Sequence, residues 1–306
     1  LAQETTLRFG HVGEPGSLFA MSAEHFAEVA NKKLGDDAKV EVYGSSQLGN
    51  DQQLLQKLKL GQVTFALPSS VMSSVAPEFG VFEMPYIIQN RDHIRAVSRN
   101  MLEDTFQPAA ERNGYKILAF WENGFRHITN NVRPINKPED LEGIKLRTPK
   151  GEWRVKMFKS YGANPTPMAF SDVFTALKTG VIDGQENPYA QIASAKFQEV
   201  QDYLSITGHV YTPGYILTGK DRYESLPEDV QADLKEAALE TQEFVYKRAA
   251  ELETELLEKI SKQVEVNEAD KQAFIDASQP IYDEFAQQVD GGGELVDRVM
   301  SYAPSN

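Results

Sequence analysis

Arg147 closes the segment Gly143-Ile144-Lys145-Leu146-Arg147-Thr148-Pro149, where the proline stops a strand and leaves a guanidinium at its carboxyl end. Arginine presents a rigid fork that meets a carboxylate through two parallel hydrogen bonds, a geometry lysine does not reproduce. Arg126 offers a second cation. Asn187, in Gly184-Gln185-Glu186-Asn187-Pro188, offers a donor and an acceptor at a loop-to-helix junction. The chemistry of such a set is the capture of an organic anion. On spacing alone, two other assignments are as good: surface salt bridges for the arginines and a helix cap for Asn187.

Catalytic patterns are missing from the same chain. The histidines, at positions 11, 25, 93, 127 and 209, fall at no metal-ligand spacing, and there are no cysteines, which removes thiolate metal sites, disulfides and cysteine nucleophiles together. No nucleophile elbow and no dinucleotide-binding glycine run occurs. Gly214 to Gly219-Lys220 has P-loop spacing, but Asp221 stands where magnesium needs a hydroxyl, and Tyr215-Ile216-Leu217 reads as a strand. The carboxylates between Glu228 and Glu258, interspersed with lysines, read as a solvated helix face. The expectation is a protein that is not an enzyme and uses neither metal nor cofactor.

The elements that must position these residues follow from periodicity. A strand at 6–10 ends in a glycine-bearing loop before a helix at 18–34, and the plan repeats with a strand at 39–43 and a helix at 51–60. A third strand, 63–67, runs into Pro68-Ser69-Ser70. Alternating strands and helices imply an open α/β sheet, whose ligands sit beyond the carboxyl ends of the strands, so Glu14, Asn50 and Ser69 are candidate contacts. Glu122-Asn123-Gly124 reads as a turn, and a domain crossing is expected there. Two further strand-and-helix units follow. Ser225-Leu226-Pro227-Glu228 reads as a capping box opening a helix without breakers through Ile260, roughly 50 Å long.

With 306 residues, 41% hydrophobic and 25% charged, two globular domains are the natural prior. A net charge of −14 argues against nucleic acid or an anionic membrane as partner. It leaves an anionic small molecule possible at a local cluster of arginines. No apolar stretch approaches the roughly 20 residues of a membrane span. Leu1-Ala2-Gln3-Glu4 reads as a mature N-terminus after signal-peptide removal.

Ser45-Ser46-Gln47-Leu48-Gly49-Asn50-Asp51, Gly143 to Pro149, Pro165-Thr166-Pro167-Met168-Ala169-Phe170-Ser171 and Val181 to Pro188 together resemble the motifs of the solute-binding proteins of tripartite ATP-independent periplasmic (TRAP) transporters. The resemblance runs the length of the chain and includes Phe82-Glu83-Met84-Pro85-Tyr86 and Ser225-Leu226-Pro227. It implies a type II-like periplasmic-binding-protein fold with two α/β domains, one of residues 1–124 plus 208–252 and the other of 125–207 plus 253–306, joined by a hinge-spanning helix. By resemblance Arg147 is the principal carboxylate anchor, Arg126 a second contact, Asn187 a hydrogen-bonding partner and Phe170 an apolar wall. It also implies a periplasmic monomer that closes on a small organic acid and hands it to integral membrane subunits.

The sialic-acid-binding subgroup resembles the chain, with two departures. Where that subgroup has an acidic residue after the third strand, this chain reads Ala66-Leu67-Pro68-Ser69-Ser70, and after Arg147 it carries Trp153 and Arg154. Both point to a smaller solute. Trp153 either narrows the cleft or packs beneath its own helix, and Arg154 either meets a second carboxylate or points to solvent. Glu14, Asn50, Ser69 and Ser70 suit ligand hydroxyls. A hydroxylated sugar acid, such as a hexuronate or aldonate, is the first expectation, and a dicarboxylate or a sensory role for the same cleft the alternatives.

Overall fold

The computed structural model describes residues 5–305, so the reading of Leu1 to Glu4 as a processed N-terminus lies outside the described residues. The first lobe opens with β1 (Thr5–Gly10), α1 (Leu18–Leu34), β2 (Ala38–Tyr43), α2 (Asp51–Lys59) and β3 (Phe65–Ala66). Two short 3-10 segments, Ser70–Ser74 and Pro77–Glu83, lead to α3 (Arg91–Met101), α4 (Gln107–Arg112) and β4 (Tyr115–Phe125). The second lobe carries β5 (His127–Asn130), β6 (Lys145–Thr148), α5 (Glu152–Tyr161), β7 (Asn164–Pro167), α6 (Val173–Thr179), β8 (Gly184–Asn187), α7 (Tyr189–Ser194) and β9 (Tyr203–Ile206). The chain returns through β10 (Tyr211–Gly219), α8 (Lys220–Glu224) and α9 (Glu228–Ser261), then ends with β11 (Glu265–Glu268), α10 (Lys271–Asp276), α11 (Gln279–Gln288) and α12 (Gly292–Ser301).

Local chemistry starts the elements. Ser17 caps α1 by accepting from the Ala20 N–H, and Leu18, Phe19, Ala23, Phe26, Ala30 and Leu34 form its buried stripe. Asn50 and Gln53 form a reciprocal capping box on α2, so its first turn is held rigidly at the cleft. At α9 the expected box does not form. Pro227 is the N-cap, and the Ser225 hydroxyl donates to the Arg222 carbonyl instead of reaching forward.

The strands build two sheets, ordered β2-β1-β3-β10-β4 and β11-β9-β5-β8-β6-β7. In the first, β1 pairs parallel with β2 and β3, while β10 is antiparallel to β3 and β4. The turn expected at Glu122-Asn123-Gly124 is a continuing strand. Thr212 faces Gly124 but Pro213 faces Glu122, so Asn123 is the extra residue of a bulge, placed where proline has no N–H to give the ladder. Gly124 accommodates the distortion at φ +127°. The sheet change falls two residues later, at Arg126, whose N–H donates 2.9 Å to the Val210 carbonyl just before the returning strand β10.

Helix α9 covers β4 from outside, with Trp121 Nε1 donating 2.9 Å to the Ala238 carbonyl, and its later turns reach α7. Arg91 ties this layer together, bonding both Glu122 oxygens at 2.9 Å and Glu253 at 2.6 Å. The terminal helices touch both lobes: Phe285 packs on Trp153 of α5, and His93 Nε2 of α3 lies 2.7 Å from the Val299 carbonyl.

Candidate functional site

Strand ends and helix starts of both lobes surround one cavity between the sheets, about 340 Å³ including the part that opens to solvent. Arg126, Arg147, Phe170, Asn187, Ser69 and Ser70 all line it. Lys150 Nζ donates 3.1 Å to Gln52 Oε1 from one lobe to the other, so the walls meet beside the cavity.

Arg147 is next to last in β6 and is 4% exposed. Its Nε donates 2.9 Å to the Met168 carbonyl, and its guanidinium carbon lies 6.0 Å from the centre of the Phe170 ring. The side chain is thereby held in orientation, while its two terminal nitrogens have no hydrogen-bond partner among the described residues. Burial, and then the neighbouring Arg126, lower its pKa to about 9, which leaves it charged at neutral pH. A buried cation with two unused donors is costly unless an anion meets it.

Arg126 is committed differently. It bonds Glu186 through Nε and through Nη2, the latter 2.8 Å from the carbonyl and 3.1 Å from Oε1. Glu186 also accepts 2.7 Å from Arg154 and lies 2.9 Å from His209 Nε2. Burial opposes ionisation of Glu186, but Arg126 and Arg154 hold its carboxyl well below the usual carboxylate range. Burial keeps His209 below the ordinary histidine range. A neutral His209 donates from Nε2 to Glu186 and accepts at Nδ1 from the Thr207 hydroxyl, 2.6 Å away.

Arg154 neither faces solvent nor lines the cavity. It is 1% exposed, bonded to Glu83 of the first lobe and Glu186 of the second, with Nη2 3.2 Å from the Ser70 hydroxyl. Trp153 does not narrow the cleft. Its indole packs against Phe285, with ring centres 5.3 Å apart, and beside Gly80, where a Cβ would come within 2.8 Å of its Nε1. Glu14 lies outside the lining residues and accepts 3.0 Å from the Ser45 hydroxyl. Asn50 lines an adjoining space that also reaches Arg147, and its side chain caps α2.

Sequence reasoning passed over Asp51, Asn123 and Gln191, which line the same cavity. Asp51 reads as an ordinary helix-start acid and Asn123 as a turn residue. Gln191 carried one faint signal, its i+4 spacing from Asn187 across the start of α7.

The family model described as bacterial extracellular solute-binding protein, family 7 matches residues 9–288. The 2,3-diketo-L-gulonate-binding periplasmic protein YiaO of Escherichia coli (strain K12) is 31% identical over 298 residues, covering 96% of this chain and 91% of the relative. Among solved structures, the sugar acid binding protein DctPAm of Advenella mimigardefordensis in complex with galactonate superposes with a TM-score of 0.93 at 33% identity, covering 99% of this chain and 98% of that one. A TRAP periplasmic solute binding protein from Sulfurospirillum deleyianum with bound succinate gives 0.92 at 30% identity, covering 98% and 100%. With a family match over most of its length and a cleft built in the same fold, the chain belongs to bacterial extracellular solute-binding protein family 7, as a TRAP transporter solute-binding protein.

Proposed function

We propose that this protein captures a hydroxylated organic acid of hexuronate or aldonate type in the periplasm and presents it, enclosed between its lobes, to the integral membrane subunits of a TRAP transporter. The carrying observation is Arg147, a buried guanidinium fixed by Met168 and Phe170 with its terminal nitrogens unpartnered among the described residues. A ligand carboxylate takes those two donors, Asn187 approaches from the neighbouring strand β8 and Arg126 from the crossing between β4 and β5, and Phe170 covers the carbon chain. Water is excluded as the lobes come together about the segments 125–127 and 207–211, which strengthens each charged contact. Ligand contacts from both lobes favour the closed arrangement, so binding shifts the population of shapes. Binding without turnover suits the site, because His127 and His209 are buried and low in pKa, and Glu186 is held as a carboxylate by fixed cations.

The galactonate complex among the similar structures supports the sugar-acid assignment, and the succinate complex keeps a dicarboxylate as the second reading. The test is calorimetric titration with D-galactonate, D-glucuronate and succinate. Arg147→Ala should weaken binding of any acid that binds by roughly a hundredfold or more, because the ligand carboxylate is left buried and unpaired. Arg147→Lys should fall between the two, having lost the fork. Undiminished affinity in Arg147→Ala would remove the basis of the assignment.

A further inference from the structure

Polar groups around the cavity differ in what they have left to offer a ligand. The Ser70 hydroxyl faces an Arg154 nitrogen at 3.2 Å, and since a guanidinium only donates, Ser70 must accept there and keep its own O–H as a donor. Ser69 is the reverse: its O–H is engaged by the Pro213 carbonyl at 2.7 Å, so only lone pairs remain. Gln191 Oε1 is buried with no partner among the described residues. Asp51 lines both the cavity and the adjoining space at Arg147, is half-buried, and makes no side-chain hydrogen bond or ion pair among the described residues. Among the charged groups that line the cavity, the second lobe therefore supplies the cations Arg126 and Arg147 and the first lobe the carboxylate of Asp51.

Resting on the carboxylate-capture reading above, we infer that Asp51 is a specificity-determining residue that accepts hydrogen bonds from ligand hydroxyls and repels a second ligand carboxylate. Arg147 anchors one end of the acid. The other end then meets an acceptor face of Asp51 and Ser69 that a polyol chain satisfies and a carboxylate does not. Arg126 and Arg154 cannot neutralise a second carboxylate there, because Glu186 and Glu83 already hold them. Lys150 lines the adjoining space but not the cavity itself, and donates to Gln52 Oε1. Burial raises the Asp51 carboxyl to about 6, against the pull of Arg147, so at neutral pH it is ionised and acts as an acceptor only.

The experiment titrates D-galactonate, D-glucuronate and succinate into the wild-type protein and Asp51→Asn, with melting temperatures measured alongside. Asp51→Asn should lose roughly tenfold or more in affinity for the two hydroxylated acids, the usual cost of a charge-assisted hydrogen bond, and gain affinity for succinate. Ser69→Ala, which removes the acceptor and the bond to the Pro213 carbonyl but changes no charge, should lose on the hydroxylated acids and leave succinate unchanged relative to them. Equal changes for all three acids, or a lowered melting temperature with unchanged affinity ratios, would make Asp51 a helix-start charge and overturn the inference. Such a result with binding still dependent on Arg147 leaves the function proposed above standing. Wild-type protein that binds none of the acids removes both.

Discussion

Side by side at the start of α5, Trp153 and Arg154 enter different surroundings. Trp153 is 2% exposed and fills the joint between α5, Gly80 and Phe285. Trp153→Ala should therefore cost about 3–5 kcal/mol of stability, as large buried aromatics do, without changing the dissociation constant of the cleft ligand. Urea denaturation together with titration of the same variant checks both halves, and a loss of affinity at preserved stability would place the indole in the cleft after all. The place of Arg147 near the carboxyl end of a strand was legible beforehand because Pro149 marks where that strand must stop. The commitment of Arg154 was not, because Glu83 lies 71 residues away and Glu186 another 32. Asp51 was hidden for a different reason: an acid in the first turn of a helix already has a complete local explanation.

Elements place these residues through close approaches that sequence periodicity does not encode. Gly219, at the end of β10, lies where an added Cβ would sit 2.1 Å from the Leu58 carbonyl of α2. Gly219→Ala should push α2 outward, costing about 1–3 kcal/mol and weakening ligand binding, since the other end of α2 carries Asn50 and Asp51. Gly180→Ala is the control. Its φ of +77° penalises alanine by about 1 kcal/mol, but nothing lies within 4 Å, so binding should be unchanged. Thermal unfolding and titration of both variants distinguish them, and equal binding defects would refute the coupling between β10 and the cleft. The helices and most strands were readable from hydrophobic spacing. The Asn123 bulge was not, because Glu122-Asn123-Gly124 has turn chemistry, and only pairing with a proline-bearing strand 89 residues on makes it a bulge.

Across the whole molecule, buried neutral histidines give the fold an acid limb. Burial lowers His11 from 6.5 to about 4, and burial followed by the charges of His209 and Lys271 lowers His127 to about 3. Each has a folded pKa below its unfolded value. Its contribution is complete above pH 6.5 and is lost as pH falls toward the folded pKa, because the unfolded chain then binds the proton more readily. Asp51 runs the other way, its raised pKa of about 6 giving stability back on protonation. For His11 the loss amounts to about 3 kcal/mol. His11→Asn, whose side-chain oxygen can still accept the Gly13 N–H that His11 Nδ1 accepts at 3.0 Å, should flatten the fall in stability between pH 6.5 and 4.5. Denaturant unfolding across that range tests it, and an unchanged slope would exclude His11 as a source.

By itself the sequence determined the α/β fold class, the two-lobed plan and the long helix of roughly 50 Å, because hydrophobic period and helix start and stop residues are local signals. Tertiary structure decided which charges remain available. Arg126, Arg147 and Arg154 look equivalent in a chain of net charge −14. Folding pairs Arg154 with Glu83 and Glu186, engages most of Arg126 on Glu186, and leaves Arg147 open to the cavity among the described residues. A charge is neutralised by whatever is near it in space, and that proximity is created only when the two sheets and the strands crossing between them are assembled.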